Sequence, residues 1–145
     1  MGYGLLLILH LLAAIAFVGT VFFEVVMLSG IRRHVPRAAM LQLERALGIR
    51  ATKIMPWVLL VLYGAGLGLA SRYHTVLAQP LSSGFATMLT IKVLLALSVF
   101  GHFACAMVWR RRGTLNGKRS DRLHVSVFCH VLLIVVLAKA MFYFG

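Results

Sequence analysis

Four apolar stretches decide what this chain can fold into: Tyr3–Leu28, Ile54–Tyr73, Phe85–Trp109 and Leu123–Phe144. Each is long enough to span a hydrocarbon core of about 30 Å as a helix, with some tilt for the longer ones. Backbone polar groups in lipid must be satisfied within the segment, so a helix is the expected form of each. The composition agrees. The chain has 145 residues, 61% of them hydrophobic and 12% charged, whereas a soluble domain carries about 25% charged residues. The fold class expected is all-α: a single integral membrane four-helix transmembrane bundle, residues 1–145, with nothing resembling a linker between domains.

The formal charge of +12 could suggest nucleic acid, but its placement excludes that reading. Arg32, Arg33, Arg37, Arg45, Arg50 and Lys53 lie in the connection between the first two stretches. Arg110, Arg111, Arg112, Lys118, Arg119 and Arg122 lie between the last two. This is the positive-inside pattern of a multi-pass protein, with the lipid bilayer as its partner through anionic headgroups. Both basic connections should face the cytoplasm and both termini the periplasm, as in a bacterial inner membrane. The N-terminus lacks the positive residue of a removable signal. In the first connection, Met40, Leu43 and Leu47 recur at helical spacing, which predicts a short interfacial amphipathic helix over Ala38–Thr52. Gly64, Gly66 and Gly68 in the second span suit close helix packing.

Polar groups inside the spans are costly in lipid, so each needs a reason. At about 1.5 Å per residue they sort into two layers. His10, Lys92 and Lys139 fall near the outer surface; Glu24, His102, Cys105, Cys129 and His130 fall near the inner one. Lys139 can snorkel outward. Lys92 is followed by an apolar run and needs an anion, carbonyls or water; a cofactor carboxylate would serve. His102 and Cys105, three apart, share a helix face. Cys129 and His130 are adjacent, so one alone can point fully at the third span. Glu24 and His10, fourteen apart, return to nearly the same face of the first span. Paired imidazoles suit heme iron, and thiol with imidazole suits Cu(I). The histidines can also serve packing alone.

Several stretches carry a resemblance. Leu9-His10-Leu11-Leu12-Ala13-Ala14 followed by Phe17-Val18-Gly19-Thr20 resembles the first helix of the CopD-like membrane proteins, and Lys92 in Thr90-Ile91-Lys92-Val93-Leu94-Leu95 resembles the lysine of their third helix. The same frame, with Leu43-Glu44-Arg45 leading to Ile54-Met55-Pro56, is similar to the HemJ-type protoporphyrinogen oxidases, small four-helix membrane proteins that bind heme b. The resemblance implies a four-helix bundle, with His10 and Lys92 important to heme or metal binding and His102 close to a third-helix histidine. Two positions depart from the pattern. Phe22-Phe23-Glu24 stands near where the HemJ type has Pro-Arg, and Phe17 replaces a tryptophan.

The leading expectation is therefore a membrane b-type heme protein with a redox or electron-transfer role. His10, Lys92, His102 and His130 would line the cofactor site, and a redox partner, quinone or porphyrin would exchange with it. The chemistry would be that of the heme, and no Cys-x-x-Cys-His provides covalent attachment. The alternatives are copper handling, with His10, His102, His130, Cys105, Cys129 and Glu24 as the ligand pool, and a structural or assembly subunit. Oligomerisation stays open.

Overall fold

A computed structural model of the protein describes residues 2–144. The chain is all-α, with no strand among the described residues, and four of its helices are long and apolar enough to cross a membrane. They are α1 (Gly2–Ile31), α2 (Arg37–Ala70), α3 (Gly84–Arg111) and α4 (Gly117–Tyr143). The protein is thus a multi-pass membrane protein built from two compact helical hairpins, divided between Arg72 and Tyr73.

In the first hairpin α1 and α2 run antiparallel. Ala13, Phe17, Val21 and Leu28 form a buried stripe along α1, and Met40, Leu59 and Ala65 are the buried residues of α2. Spacings of four and seven residues hold such a stripe on one helix face. At the open end the Arg72 guanidinium lies 5.7 Å from the centroid of the Tyr3 ring, a cation–π contact. At the turn, Arg32 Nε meets Glu44 Oε1 at 2.8 Å and ties the connection to α2. Within α1, Phe23–Leu28 is π-helical. Such turns are uncommon and often mark functional places; this one contains Glu24.

The segment expected as a separate interfacial helix is helical but does not end before the second span. Helix α2 runs unbroken through Lys53 and Pro56 for 34 residues. A proline removes one backbone donor and crowds the preceding turn, which bends a helix more readily than it ends one.

In the second hairpin α3 and α4 are antiparallel, with Ala86, Leu89 and Val99 buried on one helix and Val127, Val131 and Met141 on the other. Phe85 and Phe142 meet edge to face at 5.7 Å near its open end. The basic turn is tightly specified. Gly113 adopts φ +67°, with Gly113 N–H donating to Arg110 O at 3.1 Å and Thr114 N–H to Trp109 O at 2.9 Å. That is a Schellman ending, and its left-handed residue is best served by glycine. The Asn116 side chain then accepts from Arg119 N–H at 2.9 Å and caps α4. The cap starts α4 at Gly117, ahead of the apolar stretch that begins at Leu123. At the other end Ser83 caps α3 by accepting from Ala86 N–H at 3.1 Å.

No polar or charged residue is buried among the described residues, while large apolar side chains such as Leu12, Ile15, Leu60, Leu67, Leu94 and Val136 stand exposed. In water such a surface would aggregate; in a bilayer it is the lipid face.

Candidate functional site

The antiparallel register of α3 and α4 sets His102 across from Ser126 and Ser98 across from His130, and the four side chains close into a reciprocal cluster. His102 Nδ1 donates to Ser98 O at 2.7 Å, one turn back on its own helix. His130 Nδ1 donates to Ser126 O at 2.8 Å in the same way. Across the interface, Ser126 Oγ lies 2.9 Å from His102 Nε2 and Ser98 Oγ lies 3.2 Å from His130 Nε2. The imidazole centroids are 5.2 Å apart with the ring planes inclined by 57°. Each serine therefore serves both rings, with its carbonyl to the histidine of its own helix and its hydroxyl to the other.

This arrangement fixes the tautomers. A carbonyl oxygen only accepts, so Nδ1 of each ring carries the hydrogen and Nε2 of the neutral ring carries the lone pair. His10 follows the same rule in the first hairpin, where its Nδ1 lies 2.9 Å from Leu62 O on α2. The carbonyl is reachable because Gly66, one turn on, has no side chain. A Cβ there would fall 3.1 Å from His10 Cε1 and 3.3 Å from His10 Nδ1.

The other sequence-predicted residues are dispersed. Cys105 and Cys129 are free thiols on the exposed surface. Three helical residues turn through about 300°, so Cys105 falls some 60° to one side of His102 on the helix surface. Of the adjacent pair, His130 points at α3 and Cys129 points away. Glu24 is half-buried in the π-helical turn of α1, Lys92 is half-buried on α3, and Lys139 is exposed on α4. Among the described residues no group of three or more His, Cys, Asp or Glu side chains gathers closely enough to hold a metal ion.

Sequence reasoning paired the histidines by depth and passed over Ser98 and Ser126. A signal for them exists. Ser98-Val-Phe-Gly-His102 and Ser126-Val-Phe-Cys-His130 are nearly the same pentapeptide. Two copies on antiparallel neighbours produce the reciprocal cluster.

Below the cluster, toward the turn, a cleft of about 430 Å³ is lined by His102, Ser126, Leu123, Trp109, Arg119 and Arg122. Arg119 is held by a hydrogen bond from Nη1 to Thr114 O at 3.0 Å and by the Trp109 ring, 5.5 Å from its guanidinium carbon.

No known family model, curated protein or solved structure matches the chain.

Proposed function

We propose that this is a membrane heme b protein in which a histidine Nε2 ligates the iron and the bound heme serves electron transfer. The observation that carries the reading is common to His10, His102 and His130. Each directs Nδ1 at a backbone carbonyl, the contact that orients metal-binding imidazoles and raises their basicity. Neutral imidazole is a standard axial donor to heme iron, so the donor set fits the group in kind. The fit also has a limit. Rings 5.2 Å apart are in direct contact, which leaves no room for a macrocycle between His102 and His130. Within this hairpin one imidazole alone would serve as ligand, and its serine hydroxyl would give way. The likeness to CopD-like and HemJ-type proteins adds His10 as a candidate ligand in the first hairpin and, separately, Lys92 as a candidate carboxylate anchor in the second. Bound heme would supply one-electron chemistry, and the protein would supply ligation and a low-dielectric surrounding.

A second reading has its own observation. Each Nε2 of the α3–α4 pair already holds a serine hydroxyl, so the cluster can act as a helix clamp in a structural subunit. The test is spectroscopic. Protein purified from heme-replete cells should give the reduced-minus-oxidised spectrum of a b-type cytochrome and a pyridine extract of heme b. Separate His10→Ala, His102→Ala and His130→Ala proteins should then divide ligand from bystander. Colourless, well-folded protein, or three variants that all keep the parent spectrum, would overturn the heme reading in favour of the clamp.

A further inference from the structure

We propose that the cleft at the basic end of the α3–α4 hairpin binds the phosphate headgroup of an anionic phospholipid. The inference is independent of the heme reading.

The cleft is graded along its length. Arg119, Arg122, Leu123 and Ser126 line it from α4, and spacings of three, four and seven residues keep them on one helix face. Read inward from the turn, that face passes from guanidinium through leucine to hydroxyl. Trp109 and His102 line it from α3 in the same direction. The two arginines lie at the start of α4, ahead of the apolar stretch that begins at Leu123, whereas Ser126 and His102 belong to the apolar spans. The cleft thus crosses the level where water gives way to hydrocarbon, and tryptophan is enriched at that level.

The outer end is prepared for an oxyanion. Arg119 is preorganised by Thr114 O and the face of Trp109, which lowers the ordering cost of binding. One of its five donors is used by the carbonyl, and the others remain for a ligand. Arg122 stands one turn further along the same face. Two guanidiniums with planar, paired donors suit phosphate better than the same charge on lysines would. The deeper part argues for a lipid over a free ion. At about 430 Å³ the cleft has room for many times a single water or small ion, so inorganic phosphate would leave the Leu123 and Trp109 walls uncovered. Basic pockets between membrane helices are a recurrent form of headgroup site.

The experiment is native mass spectrometry of the full chain in non-ionic detergent after delipidation, with phosphatidylglycerol or phosphatidylcholine added back. Phosphatidylglycerol should be retained about tenfold better than phosphatidylcholine, an effect within reach of charge-assisted hydrogen bonds. Arg119→Gln with Arg122→Gln should remove that preference. Arg110→Gln with Arg112→Gln takes the same charge from the same turn outside the cleft lining and should leave it in place. Because Arg119 also braces the turn, Arg122→Gln alone keeps the test available if the double variant does not fold. Equal loss in both double variants would overturn the proposal, since general attraction to the basic turn would then suffice. So would inorganic phosphate binding to the lipid-free protein through Arg119 and Arg122 without any lipid preference. A loss of heme with unchanged lipid retention in Arg119→Gln/Arg122→Gln would also overturn it.

Discussion

Ser126 on α4 donates its hydroxyl to Nε2 of His102 on α3 across 2.9 Å, and this bond joins two helices whose other contacts are mostly apolar. The Ser98–His130 bond returns the relationship at 3.2 Å. In lipid there is little hydrophobic drive between helices, so packing and interhelical hydrogen bonds must hold the hairpin. The net worth of each bond is nonetheless modest, because the separated helices also find partners within the membrane.

A double-mutant cycle measures that worth. Ser126→Ala, His102→Phe and their combination should give a coupling of roughly 0.6–1.7 kcal/mol in detergent unfolding titrations, the range met for hydrogen bonds between membrane helices. Ser98→Ala with His130→Phe should give a similar or smaller value, in keeping with its longer bond. Coupling indistinguishable from zero in both cycles would mean that the cluster does not hold the hairpin.

The free thiols give a second prediction. Cys105 and Cys129 are exposed and lie off the histidine cluster. Replacing both with alanine should change stability by no more than about 0.5 kcal/mol per site, as for other exposed positions. Heme or metal content should stay at the parent level. Loss of bound copper on that change would favour the copper-handling alternative, with its softer ligand set.

Orientation gives a third. Twelve of the fifteen lysines and arginines lie between the first and second apolar stretches or between the third and fourth, at the closed ends of the two hairpins, so both turns should face the cytoplasm. A reporter fused after Gly145 should be active only if it reads the periplasmic side. Cytoplasmic activity would invert the assignment for both turns and move the proposed headgroup cleft to the outer leaflet.

The long apolar stretches made the four helices legible in the sequence, because length and hydropathy decide what can cross a bilayer. The ends of those helices were less legible. Asn116 starts α4 well before the apolar stretch, and α2 absorbs the segment expected to lie separately in the interface. Hydropathy does not register a capping side chain, nor a proline that a helix can tolerate. At the site, depth paired His102 with His130 correctly, since antiparallel helices bring residues equally far from a turn to the same level. It could not assign the hydroxyls, whose meaning depends on register. The cysteines were legible by residue type but not by placement. Residue type suggested ligands, and helical phase placed the thiols outside.

The glycines of α2 give the last prediction, because two of them with the same backbone role meet different surroundings. A Cβ on Gly66 would fall 3.1 Å from His10 Cε1, whereas one on Gly64 meets nothing within 4 Å. The His10 ring is held by its hydrogen bond to Leu62 O at 2.9 Å, so it cannot yield to a new methyl without loosening that bond. Gly66→Ala should therefore destabilise the first hairpin by about 1–3 kcal/mol, the usual cost of overpacking. Gly64→Ala should stabilise it by roughly 0.5–1 kcal/mol, because alanine loses less backbone entropy in a helix than glycine. Unfolding titrations of both variants in mixed micelles give the signs directly. If His10 ligates heme, Gly66→Ala should also shift the spectrum while Gly64→Ala leaves it alone. Equal effects of the two substitutions on stability would mean that α1 and α2 do not pack through Gly66 and His10.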